Sequence, residues 1–164
     1  MQENRIDPKR DLVLERETDL APEQIWKALT DPAEVKKWFS PRPWKVVEAK
    51  VDPRPGGIFF CKMQGPGGES HDAEPGCVLE AIPNRKLVWT STLGPGFRPL
   101  PKSDGPGAFQ ITAVIEIEPS GSGSRYTATV LHADEASAKS HDDMGFQAGW
   151  GAAFDQMIEV IKGW

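Results

Sequence analysis

The chain ends in the stretch that decides its fold, residues 140–164, which read SHDDMGFQAGWGAAFDQMIEVIKGW. At the helical period of 3.6 residues, one broad stripe of this stretch is apolar, and the opposite side is charged. The apolar stripe consists of Phe146, Trp150, Phe154, Met157, Ile158 and Ile161. We therefore predict one long amphipathic helix over residues 140–164, with this stripe as its buried face.

Three glycines, Gly145, Gly149 and Gly151, lie within the predicted helix. Each glycine inside a helix costs about 1 kcal/mol relative to alanine. Two explanations are open. Either a neighbouring backbone or a ligand approaches the helix closely at these positions, which is the explanation we favour, or glycine is merely tolerated there.

The size and charge of the chain limit its function. Its 164 residues are enough for one domain with a full core. We assign residues 12–164 to that domain and residues 1–11 to a polar tail. With 19 basic and 24 acidic residues, the net charge is -5, and no stretch concentrates the basic residues. Nucleic acid is therefore not an expected partner.

The sequence also bears on the cellular compartment. The first residues, MQENRIDPKRD, lack the apolar core of a signal peptide, and nowhere do eighteen apolar residues run together. We expect a soluble, cytoplasmic protein with no membrane insertion. Cys61 and Cys77 lie in apolar, strand-like runs, so we expect reduced, buried thiols rather than a disulfide.

The rest of the chain reads as one strand, two short helices and six further strands. The first strand covers residues 12–18. Pro22 then opens one helix, and Asp31, followed by Pro32, caps the next. Short loops rich in glycine and proline separate the later strands, which indicates an antiparallel meander. These strands are predicted at residues 44–51, 58–64, 77–82, 86–93, 109–118 and 125–132.

Alternating residues in several of these strands are apolar, so one side of the sheet must be covered. The last helix is the obvious cover. We therefore predict an α+β fold: a curved antiparallel sheet of about seven strands wrapped around the C-terminal helix, with two short helices after the first strand.

This order of elements, together with several local motifs, resembles the START-like, birch-pollen-allergen superfamily, also called SRPBCC. The motifs resemble those of the branch related to the activator of the heat-shock-protein-90 ATPase, and the resemblance covers residues 12–162. They are APEQIWKALTDP at 21–32 followed by Trp38-Phe39, DPRPGG at 52–57, GCVLE at 76–80, PNRKLVW at 83–89, and HDDMGF at 141–146 followed by Gly149-Trp150. The resemblance implies a helix-grip fold.

The resemblance also implies a function. It predicts an apolar cavity between the sheet and the last helix, used for hydrophobic molecules. Our leading hypothesis is the binding of one small hydrophobic molecule. The rival hypotheses are stimulation of a chaperone ATPase, which would add a chaperone partner, and a cavity-type enzyme such as a polyketide cyclase or aromatase. No cofactor is expected, and no residue specifies an oligomeric state.

Ten residues are candidates for the cavity wall, because the predicted strands and helix aim them inward. They are Trp38, Cys61, Met63, Trp89, Ser91, Phe109, Ile111, His132, Gln147 and Trp150. The tryptophans are either wall residues or core. Gln147 is the polar residue inside the helical stripe. Its amide binds either a polar group of the ligand or else backbone or water, and the same alternatives are open for Ser91.

His132 is the one candidate for catalysis. It follows the inward-facing residues of the last strand, at the strand end. It is either a hydrogen-bonded rim residue, a ligand contact or, in an enzyme, the group that transfers a proton. His141 is expected in the first turn of the last helix. The histidines and cysteines lack the short paired spacings of metal sites, so we expect no metal.

Overall fold

The computed structural model describes residues 6–71, 74–102 and 110–164. The strands are β1 (Asp11–Thr18), β2 (Lys45–Val51), β3 (Ile58–Gln64), β4 (Ser70–His71), β5 (Gly76–Ile82), β6 (Lys86–Thr90), β7 (Leu93–Gly94), β8 (Arg98–Pro99), β9 (Ile111–Ser120) and β10 (Gly123–His132). The helices are α1 (Pro22–Thr30), α2 (Pro32–Trp38), α3 (Glu135–Asp143) and α4 (Phe146–Lys162), with a short 3-10 turn at Pro95–Phe97.

One curved antiparallel sheet forms the body of the fold, with its strands in the order β1-β10-β9-β6-β5-β3-β2. The two-residue strand β4 pairs with β3 beside this path, and β7 and β8 form a separate hairpin. The seven long strands and the two helices after β1 confirm the predicted α+β, helix-grip architecture.

The inner face of the sheet follows the predicted alternation. On β9, Ile111, Ala113, Ile115 and Ile117 are buried, whereas the residues between them are partly exposed. Residues opposite each other on neighbouring antiparallel strands share a face, and Tyr126 of β10 lies opposite Ile117. The apolar side chains of the sheet therefore point toward the helices.

The second short helix begins as its sequence predicts. The carboxylate of Asp31 accepts a hydrogen bond of 3.0 Å from the backbone N–H of Ala33, and Pro32 occupies the first helical position. At the other end of α2, the indole Nε1 of Trp38 donates to the carbonyl oxygen of Ala28 at 2.9 Å. This bond joins α2 to α1, and α2 packs against α4 and β2.

The prediction of one helix over residues 140–164 is wrong, because the chain forms two helices there. Helix α3 ends at Asp143, and α4 begins at Phe146. Gly145 between them has φ +95°, a left-handed conformation that ends one helix before the next begins. The predicted stripe is nevertheless confirmed in α4. Its buried members are Phe146, Phe154, Met157 and Ile161, and Trp150 and Ile158 are half-buried.

The three glycines have different roles, and no neighbouring backbone presses on any of them. Gly145 is required by its positive φ. A Cβ atom at Gly149 would meet no heavy atom within 4 Å, and one at Gly151 would lie 3.3 Å from the guanidinium of Arg16. Close approach of a neighbouring backbone is therefore wrong as the explanation for all three, and close approach of a ligand stays a prediction.

Two alanine substitutions separate these roles. We expect Gly145→Ala to lower the free energy of unfolding by about 1–2 kcal/mol, because a side chain is strained in the left-handed region. Gly149→Ala should instead raise it by up to about 1 kcal/mol, since alanine favours the helix and has room there. Urea denaturation of both variants measures the difference, and the same sign for both changes would contradict it.

Two glutamines of α4 bridge to other parts of the fold. Gln147 is exposed rather than inside the buried stripe as predicted, and its Nε2 donates to the carbonyl oxygen of Val13 at 2.9 Å. Gln156 is buried. Its Nε2 donates to the carbonyl oxygens of Trp38 and Ser40 at 3.0 and 2.8 Å, and its Oε1 accepts from the N–H of Arg42 at 2.9 Å.

The expected state of the cysteines is confirmed, since Cys61 and Cys77 are both free and buried. Within the part of the chain that the structure describes, no helix has the length and apolar character needed to cross a membrane.

Candidate functional site

A cavity of about 490 Å³ lies between the inner face of the sheet and α4. Its wall is mostly apolar and aromatic. Residues of all four helices and of strands β3, β5, β6, β9 and β10 form it, so most of the fold contributes to its shape. The size and the predominantly apolar lining are those of a pocket for a small organic molecule.

An aromatic cluster forms one side of the cavity. The rings of Phe59 and Trp89 stack with centroids 4.4 Å apart and an angle of 9° between their planes. Phe39 packs against both rings at 5.7 and 6.2 Å, and Trp38 packs against Phe39 at 5.7 Å. Strands β3 and β6 supply the stacked pair, and α2 with the residue after it supplies the others.

Fully buried side chains form the inner end of the cavity. Leu29, Leu87, Ile115, Tyr126 and Phe154 line it and are each at least 95% buried. The ring of Tyr126 packs on that of Phe154 with centroids 5.0 Å apart. These residues come from α1, three neighbouring strands and α4, so this end is closed by the core itself.

The other end opens at the joint between α3 and α4. Met144 is 64% exposed and lines the cavity, as do the exposed Glu74 and Gly145. Gly149 of α4 also lines it, and the space beside its missing side chain is empty. The helix break that the sequence did not predict therefore lies at the cavity mouth.

A fold with a curved sheet and a last helix agrees with the comparison to known proteins. Residues 19–162 match the model of one protein family, described as Activator of Hsp90 ATPase homolog 1-like protein, AHSA1. The chain belongs to this family. The match includes every strand of the main sheet except β1, together with α4 and the cavity lining of this AHSA1-like domain.

Solved structures agree with this assignment. Protein NE0264 from Nitrosomonas europaea is 40% identical, has a TM-score of 0.89, and aligns over 96% of this chain and 97% of its own. Two more distant structures share the fold. A Rhodobacter sphaeroides protein is 22% identical, with a TM-score of 0.79 and an alignment over 94% of each chain. CalU16 from Micromonospora echinospora is 20% identical, with a TM-score of 0.63 and an alignment over 96% of this chain and 81% of its own. No curated protein matches the sequence.

Seven of the ten predicted wall residues line the cavity of this AHSA1-like domain. They are Trp38, Cys61, Met63, Trp89, Ser91, Ile111 and Trp150. Their roles toward a ligand remain predictions. The hydroxyl of Ser91 accepts a hydrogen bond from the N–H of Ile111 at 2.9 Å, so it is already bound to the sheet. Burial raises the pKa of Cys61 to about 12, which keeps its sulfur a thiol rather than a nucleophilic thiolate.

The other three predicted residues are not part of this lining. Phe109 lies outside the described residues. Gln147 is exposed, and its side chain is hydrogen-bonded to the backbone of β1. His132 is buried on the inner face as predicted, but His141 lies between it and the cavity.

The two histidines form a hydrogen-bonded pair, and the backbone of Arg10 holds the first of them. Nδ1 of His132 lies 2.9 Å from the carbonyl oxygen of Arg10, which only accepts, so this nitrogen carries the proton. Nε2 of His132 lies 2.9 Å from Nδ1 of His141, within hydrogen-bonding distance. His141 is thus oriented toward the cavity by His132. It lies in the last turn of α3, not in the first turn of α4 as expected.

The environment of His141 predicts a pH dependence of stability. Burial, with a contribution from the His132 ring, lowers the pKa of His141 from 6.5 to about 4. The unfolded chain therefore binds a proton more readily than the folded protein. The contribution of the neutral His141 ring to the free energy of unfolding is fully present above pH 6.5 and is lost as the pH falls toward 4.

Because the His141 ring is partly exposed, we expect a loss of only about 1 kcal/mol between pH 7 and pH 5. Urea denaturation at both pH values, in the wild type and in His141→Gln, measures it. The variant should lose less stability than the wild type over this interval, and equal losses would contradict the lowered pKa.

Several wall residues of this AHSA1-like domain were not predicted as site residues. They include Phe39, Phe59, Tyr126, His141, Phe146, Gly149 and Phe154. For Tyr126 the sequence contained a usable indication. It is the single tyrosine of the chain, and it alternates with Ala128, so both are predicted to face inward. The pairing of His141 with His132, nine residues earlier, needs the turn between β10 and α3 and has no sequence signal.

Proposed function

We propose that this AHSA1-like domain binds a small, uncharged, hydrophobic molecule in the cavity between its sheet and α4. The observation that supports the proposal is the cavity itself, about 490 Å³ in volume and lined mainly by apolar and aromatic side chains. A closely packed core leaves few voids larger than a water molecule, so a space of this size inside a domain favours an occupant.

The charges around the cavity favour an uncharged ligand. Among the described residues of its lining there is no lysine or arginine, and the one carboxylate, Glu74, is exposed at the mouth. With a pKa of about 4, His141 is neutral at pH 7. A charged molecule would lose its hydration inside without gaining an opposite charge.

The proposal places the protein in the cytoplasm. The two free, buried thiols support this location, since disulfides are rare there.

Mass spectrometry of the denatured, freshly purified protein tests the proposal. A hydrophobic compound should be released from the wild type and be depleted at least tenfold in Gly149→Phe, because a phenyl ring at this position enters the empty space beside α4. The matched control is Ala148→Phe, which places the same ring on the exposed side of the helix and should release the compound like the wild type.

Both variants carry the same added ring, so they differ only in whether that ring enters the cavity. Circular dichroism and urea denaturation show whether both are folded. An equal yield of every compound from folded Gly149→Phe and Ala148→Phe would count against ligand binding in this cavity.

A chaperone partner is a second candidate, favoured by the description of the matching family, Activator of Hsp90 ATPase homolog 1-like protein. In this case the protein binds a heat-shock-protein-90 chaperone and accelerates its ATP hydrolysis. The test is the ATPase rate of a purified chaperone with an excess of this protein. A rate unchanged at saturating concentrations would exclude this function.

Catalysis is less well supported than binding. His132, the predicted proton-transfer group, is separated from the cavity by His141. His141 has a pKa of about 4, whereas general acid–base catalysis near neutral pH works best with a pKa near 7. We therefore assign His141 a hydrogen-bonding role at the cavity wall.

A further inference from the structure

Tyr126 brings a polar group to the inner end of the cavity. The residue is 96% buried in the middle of β10, opposite Ile117 and Arg16 on the neighbouring strands. Its side chain lines the cavity, and its ring packs on Phe154. The hydroxyl is therefore held at a fixed depth by the sheet on one side and by α4 on the other.

The hydroxyl of Tyr126 has no hydrogen-bond partner among the residues that the structure describes. Two other side-chain atoms without a hydrogen-bond partner, Ser40 Oγ and Arg125 Nε, are completely buried. The Tyr126 hydroxyl differs from them in retaining some accessible surface. A buried hydroxyl without a partner costs free energy, and most buried tyrosine hydroxyls have one. A phenylalanine at this position would avoid this cost. We therefore expect a group of a bound ligand to supply the missing hydrogen bond.

The chemistry of the hydroxyl restricts that partner. Burial raises the pKa of Tyr126 far above its usual range, so the group remains a protonated phenol that donates a hydrogen bond. Because the described lining holds no lysine or arginine, a carboxylate or phosphate beside the phenol would be a buried, uncompensated charge. The fitting partner is a neutral acceptor such as a carbonyl oxygen.

The aromatic wall restricts the rest of the molecule. Phe59 and Trp89 lie parallel, and together with Phe39 they line the cavity with ring surfaces. Flat ring systems pack well against such a wall in offset-stacked or edge-to-face arrangements. The body of the ligand is therefore expected to be a flat, apolar ring system.

We propose that the Tyr126 hydroxyl donates a hydrogen bond to a neutral carbonyl oxygen of the ligand, and that the ligand class is uncharged, ring-containing ketones and related carbonyl compounds. This assignment rests on the proposed ligand binding in the same cavity and adds a polar anchor to it. Tyr126 thereby sets which molecules bind, and the aromatic wall contributes affinity for any flat apolar molecule.

Two probes of the same shape test the anchor: 9-fluorenone, a flat tricyclic ketone, and fluorene, in which a methylene replaces the carbonyl. Equilibrium dialysis gives the dissociation constant of each. The quantity to compare is the preference for fluorenone, the ratio of its affinity to that of fluorene. This preference should be about three- to tenfold greater in the wild type than in Tyr126→Phe, which is the contribution of one neutral hydrogen bond. In Tyr126→Phe, the affinity for fluorene should be unchanged.

Thr127→Val is the matched control, since it removes a hydroxyl from the neighbouring residue, which points to the other face of the sheet. It should keep the wild-type preference for fluorenone. Tyr126→Phe should unfold at the same or a higher urea concentration than the wild type, because the ligand-free protein loses no hydrogen bond within its described part. A merely structural tyrosine hydroxyl would change stability and leave the probe preference alone.

The outcomes separate the anchor from the cavity. If both probes bind, and Gly149→Phe blocks them, but Tyr126→Phe keeps the wild-type preference for fluorenone, the anchor is overturned and the cavity function stands. If neither probe binds the wild type, the anchor and the occupation of this cavity by flat hydrophobic molecules are overturned together. A preference lost in Tyr126→Phe alone supports the anchor.

Discussion

Gln156→Leu is expected to lower the free energy of unfolding by about 3–5 kcal/mol, a large effect for the loss of one amide. The change leaves two buried carbonyl oxygens, those of Trp38 and Ser40, and the partly buried N–H of Arg42 without their partner. Each unsatisfied buried group costs about 1–3 kcal/mol, and the greater apolarity of leucine offsets part of the sum.

Gln147→Leu is the matched control, because it removes the same amide from the same helix. Gln147 is exposed and makes one described hydrogen bond, to the backbone of Val13. Its replacement should cost less than about 1 kcal/mol. Urea denaturation of both variants at pH 7 gives the comparison, and equal losses would show that the bonds of Gln156 do not stabilise the fold.

The effect of Gln156→Leu should extend to the cavity. The three backbone groups that Gln156 binds belong to the segment around Trp38 and Pro41, and both of these residues line the cavity wall. Gln156 is therefore a positioning residue for one side of the cavity. We expect the variant to bind any cavity ligand more weakly, even under conditions in which it remains folded.

Phe146→Ala is expected to cost about 3–5 kcal/mol, as for other fully buried phenylalanines. Phe146 is 1% exposed at the start of α4, and its ring contacts those of His141 and Trp150 at centroid distances of 5.3 and 5.2 Å. It thus packs α3 against α4 at the joint between them. Truncation removes this contact and enlarges the existing cavity.

The matched control for Phe146→Ala is Met144→Ala, two residues earlier in the same joint. Met144 is 64% exposed, so its truncation should change the free energy of unfolding by no more than about 0.5 kcal/mol. Urea denaturation is again the measurement. A loss below about 1 kcal/mol in Phe146→Ala would mean that α3 and α4 are joined by other contacts.

The secondary structure and the inner face of the sheet could be predicted because they depend on local pattern. Alternation along β3, β9 and β10 indicates which side chains are buried, and the Asp31-Pro32 pair marks a helix start. The helix break at Gly145 could not be predicted in the same way. A glycine can end a helix with a left-handed φ or be tolerated inside one, and the sequence does not distinguish Gly145 from Gly149 and Gly151, which lie inside α4.

The site was predicted in part because burial and cavity lining are different properties. Alternation places Cys61, Met63 and Trp89 on the inner face, and all three line the cavity. It cannot distinguish inner-face residues that border empty space from those that touch other side chains. The hydrogen bonds of Gln156 reach residues more than a hundred positions away, so only the folded chain brings them together.

Because of the cavity, thermal denaturation can be used to identify the ligand. The unfolded chain has no cavity, so any molecule that fills it binds the native state alone and raises the melting temperature. At a ligand concentration a hundred times its dissociation constant, this stabilisation is about 2.7 kcal/mol. A series of melting curves with flat ketones of increasing size should therefore show the largest rise for the compound that best fills the roughly 490 Å³ between the sheet and α4.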